Sequence, residues 1–207
     1  MITDGAGALY LSQEFSSTVY QVDAATLKLT RTIHWPDAET NKVEIDHKRQ
    51  RLYSLGLWFD PYLRAMDLGK SDHAEETANL ELGTLNWDMV LDPRTGRLFV
   101  PKFVSGEVLV IQGERLEIAD TWSAGFGARA VDLDPDRRML FVGSMHASRV
   151  TVFDLDRGDT LLDLRLGGYI KGLHVNRRTH KAYVGCACGV YEINADKLGR
   201  PSPGAER

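Results

Sequence analysis

The stretch LDPDRRMLFVGS, residues 133–144, has an apolar start, a charged turn and an apolar end. This pattern is typical of a β-hairpin, because Asp and Pro favour a turn and apolar runs of this length favour strands. Four other twelve-residue stretches align with it without gaps. They are ITDGAGALYLSQ (2–13), IDHKRQRLYSLG (45–56), LDPRTGRLFVPK (91–102) and VNRRTHKAYVGC (175–186). The chain therefore contains five copies of one hairpin.

The ninth position of every copy is aromatic, and these positions recur at intervals of 43, 46, 42 and 42 residues. They are Tyr10, Tyr53, Phe99, Phe141 and Tyr183. A further strand ending in a polar residue follows each hairpin, as in VTVFD (150–154), and a fourth strand follows in four of the units. Four short strands at a pitch of about 40 to 45 residues are typical of a propeller blade. The repeat predicts an all-β fold, a β-propeller of four-stranded antiparallel blades with about four and a half to five blades present.

The same spacing predicts one repeat domain over residues 1–195. Its units are expected near 2–35, 41–83, 87–127, 128–168 and 170–195. Residues 196–207 contain two prolines and two glycines without apolar alternation, so a flexible C-terminal tail is expected there.

The segments DPRTGRLFV (92–100) and DPDRRMLFVGSMHASRVTVFDL (134–155) resemble the YVTN-type repeats of surface-layer-like, seven-bladed β-propeller proteins. The resemblance extends over nearly all of residues 2–194. It implies a propeller fold and a bacterial, WD40-like repeat protein, and relatives of this kind are often periplasmic or extracellular. The shared motif consists of strand and turn signals, so the resemblance implies no catalytic residues.

The two ends depart from a complete propeller. The chain starts inside the innermost strand of its first unit, and the fifth unit has no outer strand. Three arrangements are consistent with this: part of a longer propeller, a five-bladed ring with an imperfect seam, or self-association with a second copy through an open blade edge.

Composition excludes several classes of function. The chain is 43% hydrophobic and 26% charged with a net charge of -4, which argues against a nucleic-acid partner. It has no apolar run long enough for a membrane span and no signal peptide, so a soluble protein is expected and its compartment stays open. Cys186 and Cys188 are expected to be small strand or loop residues without shared chemistry.

Aromatic and cationic residues are dense in the loops that would share one face of the propeller, around the channel mouth. They are Trp58, Phe59, Trp87, Phe103, Phe126, Arg129, His146, Tyr169 and Lys171. Such a composition is typical of recognition surfaces. It predicts a non-catalytic binding or scaffold module, without a cofactor, for a small molecule, a glycan, a peptide or a protein partner. The alternative interpretation is that these side chains pack between blades.

A second repeat column contains Glu44, Asp132 and His174, although Val90 interrupts it. Two carboxylates and an imidazole are suitable ligands for a divalent cation such as Ca²⁺ or Zn²⁺. In outline this resembles metal-dependent lactonase propellers and gives the alternative function, a metal-dependent hydrolase. No nucleophile or phosphate-binding motif is present, so the sequence favours a protein that is not an enzyme.

Overall fold

A computed structural model describes residues 2–3, 7–35, 38–69 and 76–198. Within these residues almost all regular structure is β-strand, and the helical structure is a single 3₁₀ turn, η1, at Ala195–Lys197. In the part of the chain described, no helix is long and apolar enough to cross a membrane.

The first two sheets are four-stranded and follow the chain order, each strand pairing with the next. The first contains β1 (Ile2–Thr3), β2 (Ala8–Ser12), β3 (Thr18–Asp23) and β4 (Leu29–His34). The second contains β5 (Lys42–Asp46), β6 (Arg51–Leu55), β7 (Tyr62–Asp67) and β8 (Glu76–Glu81). All their pairings are antiparallel, so each sheet is a meander.

The third and fourth sheets repeat this order, and the fifth has three strands. The third contains β9 (Val90–Leu91), β10 (Arg97–Pro101), β11 (Glu107–Gln112) and β12 (Glu117–Ser123). The fourth contains β13 (Ala128–Asp134), β14 (Met139–Ser144), β15 (Arg149–Asp154) and β16 (Thr160–Arg165). The fifth contains β17 (Gly172–Asn176), β18 (Lys181–Cys186) and β19 (Gly189–Asn194).

These five sheets confirm the predicted fold class, a β-propeller with between four and a half and five blades. Among the described residues, the fifth sheet has three strands and ends at β19. The first sheet begins with β1, of which Ile2 and Thr3 are described.

Asx turns explain why Asp and Asn recur between strands. In the hairpin of β13 and β14, Asp134 Oδ1 accepts hydrogen bonds from the amides of Asp136 and Arg137 at 3.0 and 2.9 Å. Asn176 accepts bonds from two amides in the same way in the hairpin of β17 and β18. A side chain that replaces a backbone acceptor fixes the turn, so this column of the repeat sets the hairpin register.

The chain divides into two compact units. The first comprises Met1–Phe99 with Val110–Asp120, and the second comprises Val100–Leu109 with Thr121–Arg207. Within each unit, apolar side chains of successive sheets form a shared core. One core joins the first two sheets around Trp35 and Leu52, and the other joins the fourth and fifth sheets around Phe141 and Val184. Blades therefore bury one another's apolar faces, which no single blade could do alone.

The cysteine prediction was wrong. Cys186 ends β18 and Cys188 follows it in the turn, with their Cα atoms 5.4 Å apart and their sulfur atoms joined as a disulfide. The turn at Ala187 curls the backbone so that the Cys188 amide also points to Cys186 Sγ, at 3.3 Å. The sequence separation of the two cysteines does not indicate this turn conformation.

Candidate functional site

Four rings from alternate loops of the second unit meet in a group that we call the aromatic cluster. Phe103 lies between β10 and β11, Phe126 between β12 and β13, His146 between β14 and β15, and Tyr169 between β16 and β17. All four were predicted as binding residues from the repeat. The structure therefore brings together loop residues that are far apart in sequence.

His146 is at the centre of the aromatic cluster. Its ring stacks on Phe126, with centroids 5.2 Å apart and planes at 18°. Phe103 and Tyr169 contact the same imidazole edge-on, at centroid distances of 5.4 and 5.8 Å. Phe103 also contacts Phe126 at 6.2 Å. Stacked and edge-on arrangements are those that aromatic quadrupoles favour.

The rings of the cluster are in contact with each other yet open to water. Phe126 is 54% exposed and Tyr169 is 48% exposed. His146 is also exposed, and only Phe103 is half-buried. Rings that fill a core are covered, whereas three of these four rings remain exposed to solvent.

Backbone hydrogen bonds between the loops hold the aromatic cluster in place. Gly127 N donates to Phe103 O at 2.9 Å, Met145 N donates to Gly127 O at 2.8 Å, and Ala147 N donates to Phe126 O at 3.0 Å. Gly127 has a φ of +83°, and a Cβ there would lie 2.7 Å from the His146 amide nitrogen. Only glycine fits this close approach, so the loop that carries Phe126 can lie directly against the loop that carries His146.

Cations surround the cluster. Lys171 Nζ lies 5.8 Å from the centroid of the Tyr169 ring, a cation–π contact. Burial lowers the pKa of Lys102, the neighbour of Phe103, and the carboxylate of Glu107 opposes that shift. Arg129 does not lie in a loop, as the sequence analysis assumed, but is the second residue of β13, where Nη1 points to Met145 Sδ at 3.8 Å. A bulge between Ala128 and Ala130 starts that strand early, and sequence spacing does not indicate bulges.

The other predicted aromatic residues belong to the first unit. Trp58 and Trp87 meet edge-on, with centroids 5.2 Å apart and planes at 85°. Trp58 Nε1 donates to Glu14 Oε1 at 3.2 Å, while Phe59 is 86% exposed. Trp58 and Phe59 are exposed in the loop between β6 and β7, whereas Trp87 is half-buried in the chain before β9.

The predicted metal ligands have structural partners. His174 Nδ1 lies 3.1 Å from Asp132 Oδ2. The same carboxylate accepts the Val175 amide at Oδ2 and the Leu133 amide at Oδ1, both at 2.8 Å. Asp132 thereby links β13 to β17, the innermost strands of two neighbouring sheets. Glu44 lies buried in β5 of the first unit. A divalent cation held by these residues stays a prediction.

A different carboxylate–imidazole group was missed by the sequence analysis. Ligand atoms of Asp134, Asp136 and His180 lie within 4.8 Å of one another. His180 Nδ1 lies 2.8 Å from Asp134 Oδ2, and the other oxygen of Asp134 accepts two amides of its own turn. Because the protein already engages both carboxylate oxygens, we interpret this group as a link between the turns of neighbouring hairpins.

Comparison with known proteins identifies a fold rather than a family. No family model matches the chain, and no curated protein matches it. Among solved structures, a protein of unknown function from Desulfotomaculum acetoxidans DSM 771 is similar, with a TM-score of 0.76 and 13% identity. The similarity covers 90% of this chain and 61% of that protein, so this chain spans less than two thirds of that protein's length. The similarity supports the propeller fold.

Proposed function

We propose that this protein is a non-catalytic binding module that uses the aromatic cluster to hold a glycan, a peptide or another small molecule. The observation that carries the proposal is the stacking of Phe126 on His146 at the surface, with Tyr169 beside them. Aromatic rings fixed by loops on a rigid scaffold offer flat apolar faces at little entropic cost to a ligand.

Charge narrows the class of ligand. Lys171 contacts the Tyr169 ring of the cluster, and its ammonium group can attract a carboxylate or a phosphate. The module therefore favours ligands that combine a flat apolar group with an anionic group, such as an acidic sugar or a peptide with an aromatic and an acidic residue.

Binding to glycan and peptide arrays tests the proposal. Wild-type protein is compared with Phe126→Ala and Tyr169→Ala, and Leu164→Ala serves as the control because Leu164 is an exposed apolar residue on β16 outside the cluster. We expect the two cluster variants to lose the same array signals at least fivefold without a change in melting temperature. Equal signals from wild type and both cluster variants would contradict the proposal.

We further propose association of the protein through β19. This strand is the last of the three-stranded sheet, and Val190 on it is 73% exposed. An open edge with exposed apolar side chains can pair with a strand of a second chain. Sedimentation at increasing concentration should show a dimer in wild type and a monomer in Val190→Lys; monomers for both proteins would count against pairing at this edge.

A further inference from the structure

A small pocket in the first unit has a composition different from that of the aromatic cluster. It has a volume of about 270 Å³ and is lined by Phe15, Ala38, Glu39, Phe59 and Asp60. A cavity of this size suits a head group or a short side chain better than a whole drug-sized ligand. Its walls are aromatic, and the polar residues that line it are acidic.

Glu39 is buried in this pocket with only half of its carboxylate satisfied. Its side chain is 92% buried, and Oε2 accepts hydrogen bonds from the amides of Trp58 and Phe59 at 3.1 and 3.2 Å. Oε1 is also buried and has no hydrogen-bond partner within the described residues. A buried carboxylate oxygen without a donor is costly, so the pocket is suited to a ligand that supplies one.

The charges around the pocket favour a cationic donor. Asp60 pairs with Arg64, and its Oδ2 also accepts the Glu39 amide at 2.9 Å. Arg64 is shared, because its Nε also lies 3.1 Å from Glu76 Oε2. Two carboxylates already compete for this guanidinium, so it does not neutralise Glu39.

The two phenyl rings of the pocket are exposed at its edge. Phe15 is 65% exposed and Phe59 is 86% exposed, and their centroids lie 6.4 Å apart at an angle of 43°. Phe15 has a φ of 60°, the left-handed region that is uncommon for a residue with a large side chain. Phenyl faces next to an unsatisfied carboxylate attract cations and also contact the methylene groups attached to them.

We propose that this pocket binds the primary ammonium group of an alkylamine, with Glu39 Oε1 as its acceptor and with Phe15 and Phe59 against its methylene carbons. The same ammonium chemistry is offered by a free amine and by the lysine side chain of a peptide. A primary ammonium has three N–H donors, whereas a quaternary ammonium has none, so the orphan oxygen favours the primary form. The inference does not rest on the aromatic cluster, which uses other residues of the other unit.

Titrations followed by two-dimensional NMR test the pocket directly. The amide signals of Trp58 and Phe59 report on it, because both amides bond to Glu39. At constant ionic strength, n-butylammonium chloride should shift these signals to saturation, with a dissociation constant on the order of 1 mM, as for a good ligand of five heavy atoms. 1-Butanol and n-butyltrimethylammonium should each bind at least tenfold more weakly. Equal binding of the alcohol, or no saturable shift with the amine, would overturn the proposal.

Variants of the pocket residues distinguish a loss of ligand binding from a loss of folding. Glu39→Gln keeps an oxygen for the two loop amides but removes the charge, so we expect at least a tenfold loss of butylammonium affinity. Phe59→Ala changes a ring that is almost fully exposed, so it should weaken binding severalfold while the melting temperature stays unchanged. Phe126→Ala, an exposed ring of the aromatic cluster, is the matched control and should bind as wild type does. Full affinity in both pocket variants would refute the site.

A lysine-containing peptide distinguishes the two sources of the ammonium group. Acetyl-Gly-Lys-Gly-amide should compete with butylammonium for the same signals. Tighter binding of the peptide would support a protein ligand, and tighter binding of butylammonium would support a free amine. A peptide with norleucine in place of lysine should produce no shift, and a shift equal to that of the lysine peptide would contradict recognition of the ammonium.

Discussion

Truncation of the repeat's aromatic column should have unequal effects, although the sequence makes its members look equivalent. Phe141 is completely buried in the core shared by the fourth and fifth sheets. Tyr183, one repeat later, is only half-buried in the three-stranded sheet. Phe141→Ala should therefore lower the free energy of unfolding by about 3–5 kcal/mol, because it leaves a cavity. Tyr183→Ala should lower it by about 1–2 kcal/mol, because part of its ring already contacts water.

Thermal unfolding followed by circular dichroism measures this difference. For a chain of this length, each kcal/mol corresponds to about 2–4 °C in the melting temperature. Phe141→Ala should lower the midpoint by roughly 6–20 °C and Tyr183→Ala by roughly 2–8 °C, on the same scale. Phe141→Leu, which keeps most of the apolar volume, should fall between wild type and the alanine variant. Equal losses for Phe141→Ala and Tyr183→Ala would show that burial does not follow the packing described above.

Three more predictions concern stability. Gly158→Ala should lower the melting temperature, because Gly158 has a φ of +79° and an added Cβ would clash with the indole of Trp122. Gly172→Ala should leave the melting temperature unchanged, since nothing lies within 4 Å of the position of its Cβ. Similar melting temperatures for the two variants would refute this prediction. Burial raises the pKa of Tyr53, so above about pH 10 the unfolded chain releases a proton that the folded protein keeps, and stability falls with rising pH up to the folded pKa. In urea unfolding, the free energy of unfolding of Tyr53→Phe should fall less with rising pH than that of wild type. Identical pH profiles for the two proteins would contradict this prediction. Reduction of the Cys186–Cys188 bridge should expose two thiols to a thiol reagent and lower the unfolding free energy by no more than about 2 kcal/mol, because the closed loop is very short. A larger change would refute this reasoning.

The fold was predictable because the information that sets it is local and repeated. The later hairpins contain their own turn former, such as Asp134 or Asn176, and every repeat contains its own aromatic residue, such as the buried Phe141. These residues act within a dozen positions of each other, so the sequence indicates strand order and register without knowledge of long-range contacts. The loop positions of Phe103, Phe126, His146 and Tyr169 follow from the same register.

Contacts between loops were not predictable from the repeat. The pocket around Glu39 depends on a carboxylate in one loop meeting the amides of Trp58 and Phe59 in another, and no repeated pattern marks it. The inclusion of Arg129 in β13 comes with a bulge between Ala128 and Ala130. Such features arise from packing between segments that are distant in sequence, and a single sequence does not indicate their geometry.

The protein buries one set of aromatic residues and presents another set to solvent. Photochemically induced nuclear polarisation in proton NMR measures this directly, because only Trp, Tyr and His rings that a dye can reach give enhanced signals. We predict enhanced signals from Trp58, His146 and Tyr169, and none from the buried Trp35 and Tyr53. Enhanced signals from Trp35 or Tyr53, together with no enhancement of His146 and Tyr169, would contradict this division into buried and exposed rings.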